Sequence, residues 1–140
     1  FTGFRPDVER LLAAADAYVQ PSVVEGASLA AIQAAAAGLP LVLTEVGTAR
    51  ELADGPAAVT LVPGYVEDLA GATSREIQQA SASPPAALVG ALARALSEQV
   101  DAAPSLRRRA REAAPQVAAR YGLESMVRGY ERLFLKAASP

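Results

Sequence analysis

A carboxylate, a glycine and a hydroxyl lead straight into an alanine-rich run in the stretch EGASLAAIQAAAAGLP, Glu25 to Pro40. Gly26, Ala27 and Ser28 are small enough to let a ligand approach the backbone. Ser28 suits the cap position of a helix, whose first N–H groups are free and carry partial positive charge. Together these features suit a phosphate or diphosphate, with Glu25 beside it. They also suit a plain packed turn, so the pattern by itself is weak. Gln33 is the one polar residue in the apolar run. The chain holds no cysteine and no histidine. Thiol chemistry and disulfides are therefore excluded, and the commonest general base and metal ligand are both absent.

The elements around this stretch place it at a strand-to-helix turn. FTGF, Phe1 to Phe4, reads as the tail of a strand. A helix follows behind Pro6 and Asp7, with Leu11, Leu12 and Ala15 at helical spacing. AYVQPS is a short strand stopped by Pro21, and Gly26 permits a sharp turn after it. The alanine helix runs to about Ala37, with Gly38 as a left-handed cap. PLVLT is apolar on both faces, as a central parallel strand requires. GTARELAD reads as a short helix and AAVTLVP as another strand. Such alternation predicts a parallel sheet with crossover helices. Beyond it, Thr73 and Glu76 form a capping box. Leu88, Leu92, Leu96 and Val100 make a stripe on the next helix. PSLRRRAREAAPQVAARYG is a further helix with a kink or break at Pro115 and a stop at Gly122. The last helix starts near Met126, with Tyr130, Leu133 and Phe134 on one face.

Alanine has the highest helix propensity and loses no side-chain entropy. A helix built from it can lie close against a sheet, or close behind a loop whose backbone must reach a ligand.

The 140 residues are enough for one domain with a real core, and 51% of them are hydrophobic against 20% charged. The formal net charge of −2 argues against nucleic-acid binding, and the arginines from Arg107 to Arg111 read as a solvated face. No signal-peptide pattern and no run of membrane-spanning length is present.

The order of parts from Phe1 to Ala53 resembles the C-terminal donor-binding domain of retaining glycosyltransferases of the GT-B fold, family-four type. The matching parts are Phe1 to Phe4, Leu11 to Asp16, Pro21-Ser22, Glu25-Gly26, Ala34 to Pro40, Gly47 and Glu51. The resemblance implies an α/β fold, a partial Rossmann-like parallel sheet with crossover helices, followed by C-terminal helices. Residues 1–65 would form the strand-helix part of a nucleotide-sugar-binding domain, and residues 66–140 its helical C-terminal part. It implies that a sugar moves, with retention, from a nucleotide sugar to an acceptor. Glu25 would be the catalytic residue, contacting the donor sugar. Backbone amides of Ala27, Ser28 and Leu29 would hold the diphosphate, with the small Gly26 beside them in the substrate site. Arg5 and Pro6 would lie near the nucleobase. The family's second glutamate, which binds the ribose, is replaced here by Gln33, expected to face the same crevice as Glu25.

No metal and no cofactor beyond the nucleotide-sugar donor is implied, and the cytoplasm is the expected location. The family's domain begins with further strands that carry a glycine-rich turn and basic residues for the diphosphate. The chain, starting at FTGF without a methionine, is therefore expected to be a fragment, inactive alone and missing the N-terminal part of a longer protein. In the strand order 3-2-1-4-5-6, Phe1 to Phe4 would then find no sheet neighbour. AYVQP would be an edge open to a second copy of the chain. The closing helix would show part of its apolar stripe. Two alternatives stay open: a non-catalytic nucleotide-sugar-binding or scaffolding domain, and a sugar-nucleotide epimerase of the same fold.

Overall fold

The computed structural model describes residues 2–66 and 69–138. Its elements alternate as expected in the first half: α1 (Val8–Ala14), β1 (Tyr18–Gln20), α2 (Leu29–Ala36), β2 (Leu41–Thr44), α3 (Ala49–Ala53) and β3 (Val59–Val62). Four helices follow: α4 (Ser74–Ala82), α5 (Ala86–Asp101), α6 (Ala103–Tyr121) and α7 (Leu123–Ala138). The strands form one parallel sheet in the order β1-β2-β3, with Tyr18 opposite Leu41 and Leu41 opposite Val59. This is an α/β fold with a three-stranded parallel sheet, crossover helices and C-terminal helices, consistent with part of a Rossmann-like domain.

All four residues of β2 are buried, which suits the central strand. Alternate side chains serve opposite faces. Leu41 and Leu43 join Ala31, Ala34, Ala35, Leu52 and Val117 in one core cluster. Val42 and Val62 join Leu88 and Ala95 in another. Helices α2, α3 and α6 thus cover one face of the sheet and α5 the other.

Close packing explains the alanines of α2. Ala31 and Ala34 are fully buried, and α6 lies directly on α2. Side chains larger than a methyl would hold the two helices and the sheet apart. Ser28 caps α2 by accepting from the Ala31 N–H at 3.3 Å. Gly38 follows at φ 79°, the left-handed end expected of it.

Three expectations need correction. Thr2 to Phe4 is irregular and not a strand end, with Phe4 almost fully exposed; Phe1 lies outside the described residues. A strand without a ladder partner has no backbone hydrogen bonds to define it. Helix α6 runs through Pro115 without a break. Ala110, Ala113 and Val117 are buried on its inner face, and that packing offsets the roughly 3 kcal/mol a helix-interior proline costs. On α5 the buried row is Leu88, Ala95 and Gln99, while Leu96 and Val100 are exposed. Four residues turn a helix by about 400°, so a strict i, i+4 stripe drifts off the buried face. Gln99 enters instead and donates from Nε2 to Thr60 Oγ1 at 3.2 Å.

Other expectations hold. Strand β1 pairs only with β2 among the described residues and is a sheet edge. The Thr73–Glu76 capping box is present at the start of α4. Helix α7 begins at Leu123, slightly before Met126, and Tyr130, Leu133 and Phe134 are all more than half exposed. No helix among the described residues is long and apolar enough to cross a membrane.

Candidate functional site

The carboxyl ends of the three parallel strands meet in one place. The loop after β1 carries Ser22, Glu25 and Gly26, and the loop after β2 carries Gly47 and Thr48. The Thr48 N–H donates to the Gly26 carbonyl at 3.1 Å. The Ser28 N–H donates to Thr48 Oγ1 at 3.3 Å. Thr44 Oγ1 donates to the Ser22 carbonyl at 2.6 Å. From the loop after β3, the Tyr65 hydroxyl donates to the Pro21 carbonyl at 3.1 Å.

Gly47 makes this closeness feasible. Its φ is 55°, and a Cβ there would sit 2.2 Å from the Gly26 carbonyl oxygen. Gly26, by contrast, has no positive φ, and a Cβ on it would meet nothing within 4 Å. The chain does bend at Gly26, but the glycine that cannot carry a side chain is Gly47, in the loop it meets.

Glu25 points inward along the strand ends. Its Oε1 accepts from Gln20 Nε2 at 2.5 Å and from Ser22 Oγ at 2.8 Å. It lines a narrow cleft with Gln20, Ser22, Ser28, Ala31, Leu43, Thr44, Val46, Ala49 and Leu52. The cleft holds about 10 Å³, room for roughly one water, so a larger ligand would lie across its mouth. No Arg or Lys lines it. At that mouth stands the N-terminus of α2. Ser28 N–H is occupied by Thr48, but among the described residues the N–H groups of Ala27 and Leu29 have no protein acceptor. Such groups are the usual free donors of a first helical turn.

The remaining candidates fall on the other flank of α2. Gln33 is exposed and lines a groove with Val8, Glu9, Leu12, Ala36 and Ala37. Two residues on a helix differ by about 200°, so Gln33 lies nearly opposite Ala31, which faces the Glu25 cleft. The expectation that Gln33 shares a crevice with Glu25 is therefore not met. Burial of Ala31, Ala34 and Ala35 sets the rotation of α2 and turns position 33 toward α1. Arg5 forms two hydrogen bonds with Asp7, at 2.8 and 2.7 Å, just ahead of α1; Pro6 lies between them. Glu51 turns away from the cleft. Its Oε1 accepts from the Tyr121 hydroxyl at 2.9 Å and from Arg120 Nη2 at 3.2 Å, tying α3 to α6. Among the described residues, no group of three or more acidic side chains converges in a way that could hold a metal ion.

Gln20 is the residue that sequence reasoning passed over. It reads as an ordinary strand-end polar residue, yet it bonds to four side chains at the centre of the site. Its neighbour Tyr18 carries a phenol that burial pushes above the ordinary 10.0, with the Glu25 carboxylate adding to the rise. A raised phenol stabilises the folded chain fully below pH 10.0, and that contribution is lost as pH climbs through the higher folded value. The denaturation midpoint should therefore fall above pH 10 and fall less steeply in Tyr18→Phe. Equal slopes for both proteins, measured by urea titration between pH 9 and 11, would remove Tyr18 from the account.

A family model described as glycosyl transferases group 1 matches residues 1–79. The chain belongs to the group 1 glycosyltransferases. The matched part of this glycosyltransferase chain contains the whole sheet, the Glu25 loop and the N-terminus of α2. Comparison with curated proteins and with solved structures finds no match.

Proposed function

We propose that this glycosyltransferase chain is the donor-binding part of a retaining enzyme of the GT-B, family-four type, and that it takes a nucleotide sugar as donor. One observation carries the reading: the Glu25 carboxylate and the free N–H groups of α2 converge at the carboxyl end of a parallel sheet. That edge is where open α/β sheets bind ligands. In this reading the diphosphate lies on the amides of Ala27 and Leu29, beside the small Gly26 and Ser28. Its sugar reaches the Glu25 carboxylate. The nucleoside runs down the opposite flank of α2, past Gln33 and toward Arg5 and Pro6. The donor therefore spans the helix N-terminus.

The chemistry asked of these groups is positioning, together with stabilisation of the leaving diphosphate as its charge develops. The helix N-terminus offers only about half a positive charge, and the cleft lining adds no cation. The 140-residue chain is accordingly expected to bind donor without transferring sugar at an enzyme's rate.

The test is calorimetric titration of the chain with UDP-glucose, UDP-N-acetylglucosamine, GDP-mannose and ADP-glucose, each set against its nucleoside diphosphate. Saturable binding with a Kd of about 1 mM or tighter, near −4 kcal/mol, is expected for one base, with the sugar tightening it. Absence of binding across the panel would overturn the reading. Gln33 in place of the family's second glutamate favours one rival, a binding domain without turnover. Product analysis of the chain joined to an acceptor-binding domain separates that rival, and an epimerase, from a transferase.

Gln33→Glu supplies a further prediction. A charged acceptor bonds about twice as strongly as a neutral one, a gain on the order of 1 kcal/mol. Glu9 lines the same groove and opposes it. Nucleotide affinity should rise by no more than about fivefold, equally for bare nucleotide and nucleotide sugar. A variant that binds no better would return Gln33 to an ordinary solvent-facing residue.

A further inference from the structure

We infer that Gln20 is a positioning residue that locks Glu25 and the cap of α2 into one rigid unit, so that a single glutamate oxygen is presented to the donor sugar. The inference rests on the reading of Glu25 as the sugar ligand. A carboxamide has two N–H donors and two acceptor lone pairs, and Gln20 uses all four. Its Nε2 donates to Glu25 Oε1 at 2.5 Å and to Ser22 Oγ at 3.1 Å. Its Oε1 accepts from Ser28 Oγ at 2.7 Å and from the Tyr18 hydroxyl at 3.1 Å.

This saturation dictates the orientation of the amide. Turned over, its oxygen would face the Glu25 carboxylate, and no donor would lie between them. Both bonds that Glu25 receives fall on Oε1. Its Oε2 has no partner among the described residues and is left for a ligand hydroxyl. The same amide holds Ser28, whose hydroxyl caps α2. Sugar-binding carboxylate and diphosphate-binding helix end are thus joined through one side chain on the rigid strand β1.

Two substitutions test this on the full chain, using UDP-glucose against UDP and GDP-mannose against GDP. The quantity read is the ratio of the two affinities, the increment that the sugar adds. In Gln20→Leu the ratio should fall about tenfold, the cost of misplacing one charge-assisted bond, while bare nucleotide weakens by a smaller factor because Ser28 still caps α2 through the Ala31 N–H. Gln20→Glu sets two carboxylates side by side, which must share a proton at low pH. The protonated acid donates to Glu25 as the amide did; the ionised one repels it. Divided by the wild-type ratio at the same pH, which removes the titration of the bare nucleotide's terminal phosphate, its ratio should be close to one near pH 5 and collapse by pH 8. This pH profile also covers the case in which Gln20→Leu fails to fold.

A fall in sugar and bare nucleotide binding alike, with no pH dependence in Gln20→Glu, would overturn the positioning role and leave the donor reading intact. A wild-type chain that takes up neither probe, or gains nothing from the sugar, would overturn the donor reading and this inference with it.

Discussion

Gly47→Ala should destabilise the fold by about 3 kcal/mol or more, the largest effect expected of any single methyl in this chain. Two costs combine. An alanine in the left-handed region pays about 1–2 kcal/mol, and Gly47 has φ 55°. The new Cβ would also lie 2.2 Å from the Gly26 carbonyl oxygen, 2.8 Å from that of Glu25 and 2.9 Å from the Glu25 Cβ. Two of those atoms belong to the backbone, so the loops after β1 and β2 must part, at a further cost of about 1–3 kcal/mol. Their separation would break the Thr48–Gly26 and Ser28–Thr48 hydrogen bonds that align Glu25 with α2. Gly3→Ala is the control. Gly3 has φ 65° but meets nothing within 4 Å, so only the conformational cost, about 1 kcal/mol, should appear. Urea denaturation of both variants reads the difference. Similar losses for the two would show that the loops do not meet as described.

Glu25→Ala should leave the fold standing and remove most of what the sugar adds to donor binding. The side chain is half-buried at the site and bonds only to Gln20 and Ser22, both of which can turn to water once it is gone. Stability should therefore fall by about 1 kcal/mol. A hydrogen bond to a charged group contributes about 1.5–3 kcal/mol. Nucleotide sugar should then bind about 10- to 100-fold more weakly, with nucleoside diphosphate within about twofold of wild type. Loss of both ligands together would mean that Glu25 shapes the loop and does not touch the sugar.

Local signals were read correctly because their causes lie within a few residues. The cap at Ser28, the left-handed Gly38 and the Thr73–Glu76 box each depend on one turn of chain. The central place of β2 followed from its unbroken apolar run. What failed depends on contacts between distant segments. That Gly47 is held by close contact and Gly26 is not cannot be seen until the two loops are known to touch. The rotation of α2, and with it the direction of Gln33, is decided by α6, which lies far along the chain. At Pro115 the sequence suggests a kink or break, because the compensating packing on α2 comes from a distant segment. The importance of Gln20 needs the geometry of Tyr18, Ser22, Glu25 and Ser28 together. No periodicity in the sequence records that arrangement.

Backbone amide mapping by two-dimensional NMR during titration with a nucleotide sugar tests the central claim most directly. UDP-glucose and GDP-mannose serve as the probes. The largest shifts are expected at the amides of Ala27, Ser28 and Leu29 and at the side-chain amide of Gln20, with smaller ones at Gln33 and Arg5. Shifts concentrated on the α6 arginines, Arg107 to Arg111, or along α7, with the Ala27 and Leu29 amides unmoved, would contradict it.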